Sequence, residues 1–142
     1  MGLHDAGVRC WHEKYRFNTV RPIDYIRTVM GQTDWNTIMC PSSGNYYTPN
    51  FPAYPSGHAT FSAAAAEVLA GVFGNYSMTD RCHEGRVDFI GTPRFFNSFY
   101  EMAEENAYSR LPMGVHFRMD AEQGNNLGLK IGKKVNDLPW KN

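Results

Sequence analysis

Residues 56–74 constrain this chain more than any other stretch. Ser56-Gly57-His58 leads into four consecutive alanines, Ala63 to Ala66, and the segment closes with Gly71 and Gly74. Alanine has the strongest intrinsic helix preference, so a run of this kind disfavours every alternative conformation. Ser56 suits the N-cap, and the two glycines suit the end. Phe61, Ala65, Val68, Leu69 and Val72 recur at helical spacing and predict the face that packs inward. A helix of this kind needs neighbours, and the rest of the chain supplies candidates for them.

A first helix is predicted from Ala6 to Asn18, with Val8, Trp11 and Tyr15 on one stripe. Arg21-Pro22 breaks it, because proline removes a donor and restricts the residue before it. Pro22 then suits the first position of a second helix through Ile23, Ile26 and Val29, ending near Gly31. Thr92-Pro93 reads as another helix start, with Phe95, Phe99, Met102 and Ala103 as its buried stripe. A last helix is predicted from near Asp120, carrying Leu127, Ile131 and Val135. Along it Gly124, Gly128 and Gly132 fall four apart on one face and allow close helix packing. From Gln32 to Tyr54, Pro41, Ser42, Ser43, Gly44, Asn45, Pro49, Asn50 and Pro52 predict a long loop, which in a small domain is usually functional. Strand signals are weak throughout. The fold expected is all-α, a helical bundle forming a single domain over residues 1–142.

Composition narrows the function. The chain has 142 residues, 42% of them hydrophobic and 14% aromatic, so a packed core is expected rather than disorder. Formal net charge is zero, which argues against nucleic-acid binding by bulk electrostatics and leaves room for a local basic pocket. No apolar run is long enough to span a bilayer, and the first residues lack the basic and apolar regions of a signal peptide, so a soluble protein is expected. Cys10, Cys40 and Cys82 show no metal-ligand spacing. They read as buried or semi-buried thiols, with a single disulfide as the alternative. His4, His12 and His83 read as ordinary surface or structural residues.

Three short segments carry chemistry. In the first, Lys14 and Arg21 stand seven residues apart, about two helical turns, so both can lie on one helix face. Both bind oxyanions, Arg through a planar fork and Lys as a point charge, although a solvated helix face is the plainer reading. In the second, Pro55-Ser56-Gly57-His58 opens the strongest helix. A helix N-terminus offers unpaired N–H groups and partial positive charge, Gly57 permits close backbone approach, and His58 can move a proton near neutral pH. The plainer reading is a capping serine beside an exposed histidine. In the third, Ser109-Arg110 precedes His116 and Asp120, which are one turn apart if the last helix reaches back that far. A carboxylate there would hold one ring nitrogen and leave the other free. The plainer reading is a capping Asp near a surface His.

Taken together, Lys-x6-Arg-Pro, Pro-Ser-Gly-His and Ser-Arg-x5-His-x3-Asp resemble the three-part signature of the type 2 phosphatidic acid phosphatase and vanadium haloperoxidase superfamily. All eleven positions of that signature are filled here between Lys14 and Asp120. The resemblance implies a helical bundle with an oxyanion site among its helices, holding vanadate, or phosphate in the same site for a phosphatase. It implies that His116 is the axial ligand of vanadate or the phosphoryl-accepting nucleophile, and that His58 is the general acid/base. It implies that Lys14, Arg21, Ser56, Gly57 and Arg110 hold the equatorial oxygens and that Asp120 orients His116. Such a charge pattern suits a five-coordinate centre with negative charge on three equatorial oxygens.

The flanks are similar to vanadium chloroperoxidases. The run from Phe51 through His58 to Phe61 is similar to the stretch around their catalytic histidine, and Phe51 and Trp11 match residues of the halide pocket. The implied activity is peroxide-dependent halide oxidation on a small-molecule substrate. The alternatives are a soluble acid phosphatase working through a phosphohistidine, and a non-catalytic oxyanion-binding fragment. Haloperoxidases of the superfamily are much longer, so an N-terminal helical half is expected to be missing. With it would go a carboxylate that partners the acid/base histidine. The partners expected are therefore a second copy of the chain or the rest of a longer one.

Overall fold

A computed structural model describes residues 1–39, 46–88 and 90–140. Cys40 and the turn residues Pro41 to Asn45 lie outside the described residues. In chain order the elements are α1 (Gly2–Phe17), α2 (Pro22–Thr28), α3 (Gly57–Phe73), β1 (Met78–Asp80), β2 (Arg94–Phe96), α4 (Phe99–Tyr108) and α5 (Arg118–Asn136). The architecture is a helical bundle with α3 at its centre, in contact with α1, α4 and α5. The described strands form one antiparallel ribbon that pairs Met78 with Phe96 and Asp80 with Arg94. Among the described residues no helix is long and apolar enough to cross a membrane.

The glycines of α5 set the closest approach in the bundle. A Cβ built on Gly124 would stand 2.6 Å from the Ser56 carbonyl and 2.8 Å from Ala59 Cβ. On Gly132 it would stand 2.9 Å from the Ala64 carbonyl, and on Gly128 2.9 Å from the Ala64 nitrogen. Each glycine sacrifices about 1 kcal/mol of helix preference relative to alanine, and close packing of α5 on the α3 backbone offsets that loss. The same seam overturns the predicted face of α3. Small residues pack inward, Ala59, Thr60, Ala63, Ala64 and Ala66, while Val72 stays 68% exposed and Leu69 is also exposed. Glycine against backbone leaves no room for larger side chains.

Two other sequence expectations fail for local reasons. The buried face of α1 is Ala6, Cys10, Glu13 and Lys14, and both Val8 and Tyr15 are exposed. The polar site at the far end of α1 decides which face turns inward, overriding the aromatic stripe. Thr92-Pro93 does not start a helix, because Arg94–Phe96 pairs as a strand and Ser98 caps α4, accepting from the Glu101 N–H at 3.1 Å. Phe95 is consequently exposed. The segment 46–55 is irregular, as predicted. Cys10 is buried, and Cys82 is free and exposed rather than covered.

Candidate functional site

The first element of the site is the end of α1. Asn18 adopts a left-handed conformation that stops the helix, and Arg21 becomes the N-cap of α2. Lys14 and Arg21 therefore do not share a helix face as predicted. The chain turns between them and brings both against the segment Phe51–Pro55. Two prolines in that segment remove donors, so its carbonyls need partners from elsewhere. Lys14, wholly buried, donates from Nζ to the carbonyls of Pro52 at 2.9 Å, Ala53 at 3.0 Å and Pro55 at 2.6 Å. Arg21 donates from Nε to the Phe51 carbonyl at 2.9 Å and from Nη1 to the Val115 carbonyl at 2.7 Å. Thr19 completes the frame, its hydroxyl accepting from the Tyr54 N–H at 2.9 Å.

The second element is the start of α3. Ser56 is its N-cap, and its backbone N–H donates to the Asp120 carbonyl at 2.8 Å, which ties α3 to α5. Gly57 is required for a reason beyond ligand approach: a Cβ there would stand 3.3 Å from the Trp11 ring. The first-turn N–H groups of α3 have no acceptor within the helix. His58 is on this turn. Burial lowers its pKa below the ordinary histidine value, and the charges of Arg110 and Lys14 add to that effect. Among the described residues nothing hydrogen-bonds to its ring.

The third element is the start of α5. The helix does not reach back to His116, since it begins at Arg118 with Phe117 as N-cap. Asp120 closes the gap from the third helical position. Its Oδ2 accepts from the Phe117 N–H at 2.9 Å and lies 3.1 Å from His116 Nδ1. The helix-capping reading and the histidine-orienting reading of Asp120 therefore hold together, on one oxygen atom. His116 is buried, and its Nε2 lies 3.2 Å from Arg21 Nη1. Burial, reinforced by the Arg21 charge and opposed by the bond to Asp120, lowers its pKa to about 4. At neutral pH the ring is uncharged, and with its proton held toward Asp120 the Nε2 lone pair accepts from Arg21 Nη1.

These elements enclose a cavity of about 730 Å³. Arg21, Gly57, His58, Arg110 and His116 line it together with Trp11 and Phe51. Lys14, Ser56 and Asp120 stand behind that lining. The Trp11 and Phe51 rings pack together at 5.2 Å, with Lys14 Nζ 5.3 Å and Arg21 Cζ 5.1 Å from the Phe51 centroid. Burial lowers the pKa of Lys14 to about 8 and that of Arg21 to about 10, and each is further lowered by a neighbouring cation. Three buried cations face one buried carboxylate, an imbalance that an anion would relieve. Arg110 makes the same point geometrically. Among the described residues its buried Nε has no partner, and its other nitrogens meet only the thioether sulfurs of Met113 and Met39. The donors present thus fit a tetrahedral oxyanion.

Sequence reasoning did not single out Met39, Met113, Tyr47 or Asn106. Asn106 stands four residues before Arg110 near the end of α4, so helical spacing could have found it. Met39 lies within the loop predicted from Gln32 to Tyr54, where no periodicity points to it.

The fold is a helical bundle, and its cationic pocket lies at a helix N-terminus beside a carboxylate-held histidine. Residues 1–139 match the VCPO second helical-bundle domain, and the chain belongs to that family. It is 28% identical over 158 residues to the vanadium chloroperoxidase of Curvularia inaequalis, covering 82% of this chain and 26% of that one. It is 33% identical over 106 residues to the vanadium-dependent bromoperoxidase of Ascophyllum nodosum, covering 67% of this chain and 19% of that one. The solved structure of a bacterial vanadium-dependent iodoperoxidase superposes with a TM-score of 0.79 at 37% identity, covering 96% of this chain and 31% of that one.

Proposed function

We propose that this chain carries the vanadate site of a vanadium-dependent haloperoxidase and that His116 would hold the vanadate through Nε2. The observation that carries the reading is the geometry of His116: it lines the cavity with Nδ1 3.1 Å from Asp120 Oδ2 and Nε2 3.2 Å from Arg21 Nη1. Arg110 would hold oxyanion oxygens by its fork, Arg21 would add its charge and the one Nη2 donor not directed at Pro52, and the Gly57 N–H would hold another oxygen at the α3 terminus. Lys14 would act by its charge from behind the lining, since all three of its donors are engaged by carbonyls. Ser56 holds the α3 terminus in place beside them. When bound, vanadate supplies a Lewis-acidic centre for peroxide and halide. His58, with no partner fixing its ring, is suited to take and return a proton at the cavity surface. Trp11 and Phe51 keep water away from that surface. Chloride, bromide and iodide each appear in the name of one relative, and the Phe51 and Trp11 pair favours a chloroperoxidase type.

The test is vanadate titration followed by turnover on the full protein, with peroxide and each halide in turn. Wild type is expected to bind vanadate and to halogenate a dye. His116→Ala is expected to abolish tight binding, whereas His58→Ala keeps binding and slows turnover by about 10² to 10⁴. Hydrolysis of nitrophenyl phosphate without halide oxidation would replace this reading with a phosphatase. Equal loss of vanadate affinity in both variants would overturn the roles given to the two histidines.

A further inference from the structure

Arg21 and Arg110 both line the cavity but are held differently. Arg21 meets oxygen acceptors. Arg110, only 7% exposed, meets Met113 Sδ at 3.2 Å from Nη1 and Met39 Sδ at 3.4 Å from Nη2, and its Nε has no partner. Thioether sulfur is a weak acceptor. These contacts aim the guanidinium without using up its capacity to donate. Met39 itself lines the cavity and is half-buried, which puts its side chain at the surface that an entering molecule meets.

We propose that Met39 and Met113 position Arg110 for an oxyanion through contacts weak enough to be displaced, and that Met39 is an oxidation site at which peroxide turns its contact into a competing one. The inference rests on the oxyanion reading given above. In the step, the Met39 sulfur lone pair attacks one oxygen of hydrogen peroxide. An S–O bond forms and the O–O bond breaks. Sulfur loses two electrons, and the second oxygen leaves as water after taking up the proton of the first. The product is a sulfoxide, polar and a far better acceptor than the thioether it replaces. Beside Nη2 of Arg110 its oxygen would occupy the place of an anion oxygen. A site that works with peroxide would then lose affinity for its own anion under excess oxidant.

The side chain at position 39 separates these effects. Leucine is close to methionine in size and has no acceptor, whereas the glutamine amide oxygen is a permanent one. Vanadate and inorganic phosphate are titrated calorimetrically against the full protein as wild type, Met39→Leu, Met39→Gln and Met113→Leu. Each is measured before and after hydrogen peroxide, with mass spectrometry locating the added oxygen. Met39→Leu and Met113→Leu, each losing one contact that aims Arg110, are expected to bind about threefold more weakly than wild type, and Met39→Gln about tenfold more weakly. Peroxide should weaken wild type by about the same tenfold, in step with oxygen on Met39, and leave Met39→Leu unchanged. Circular dichroism reads folding, and the peroxide comparison of wild type with Met39→Leu stands even if the glutamine variant does not fold. Peroxide loss in Met39→Leu equal to that in wild type would overturn the inference, as would wild-type affinity in a folded Met39→Gln. If wild type binds neither anion, the oxyanion reading itself falls. If it binds them but is indifferent to position 39, only this inference falls.

Discussion

The cavity wall made by α3 and α5 is held by backbone packing, whereas the wall made by residues 46–55 is held by side chains reaching across the fold. On the first wall Gly124, Gly128 and Gly132 bring α5 against the carbonyls and alanines of α3, and Ser56 N–H bonds to the Asp120 carbonyl. On the second wall Lys14 and Arg21 donate to the carbonyls of Phe51, Pro52, Ala53 and Pro55. A packed helix pair resists deformation because its contacts are many and short-ranged. A loop held by two cations, with Thr19 and Thr37 beside them, depends on a few individual bonds. The first wall positions His116 and His58; the second positions Phe51. Difference in construction therefore follows difference in job, the fixed donors on one side and the residues that shape access on the other.

The largest effect is expected where the seam is tightest. In an exposed helix, Gly→Ala gains about 1 kcal/mol of helix preference. At Gly128 the new methyl would stand 2.8 Å from Ala63 Cβ and 2.9 Å from the Ala64 nitrogen, and would also press on the Thr60 carbonyl. Backbone cannot move aside as a flexible side chain can. Gly128→Ala should therefore destabilise by about 2–3 kcal/mol in urea unfolding. A variant as stable as wild type would mean that the seam is slack and that the two walls do not differ in this way.

Substitution on the loop wall should be milder and more local. Lys14→Met keeps much of the volume and removes three donors, leaving the Pro52, Ala53 and Pro55 carbonyls short of partners. The loss should be about 1–2 kcal/mol, because relief from burying a charge offsets part of it. Hydrogen exchange sharpens the comparison. Amides of Ala53 and Tyr54 should exchange faster, while those along α5 keep their protection. Equal loss of protection on both walls would show that they form one cooperative unit.

The same division explains how much the sequence disclosed. The helices α3 and α5 were readable from alanine content, caps and the four-residue glycine spacing, since periodicity records packing between helices. The apolar face of α3 was misread, because hydrophobicity favours Leu69 and Val72 as core while the glycine seam admits only small residues. The motif residues Arg21, Gly57, His58, Arg110 and His116 do meet at one cavity, yet spacing gave the wrong route for two of them. Lys14 and Arg21 meet through a helix break, and His116 meets Asp120 across a cap. Met39 and Met113 left no trace, since a contact between an arginine and a distant thioether has no period.

The smallest effects per unit of change should appear on titration, where each wall has its own group. On the α5 side that group is His116, whose pKa burial lowers from the ordinary 6.5 to about 4. Between those values the unfolded chain binds a proton that the folded chain does not, so stability rises with pH across that window and is lost as pH falls through it. On the loop side the group is Lys14, whose pKa burial lowers from 10.5 to about 8. Between about 8 and 10.5 the unfolded chain again holds the extra proton, so this group also adds stability as pH rises. Anion affinity should move the other way there, since Lys14 sheds its charge above about pH 8 while Arg21 keeps its own to about 10. Urea midpoints measured against pH for wild type, His116→Gln and Lys14→Met separate the contributions. His116→Gln should flatten the acid limb alone, and Lys14→Met the alkaline limb alone. If Lys14→Met left the alkaline limb as steep as in wild type, the ammonium would not be the buried, displaced titrating group that its three carbonyl contacts imply. The loop wall would then be held together by something other than that lysine.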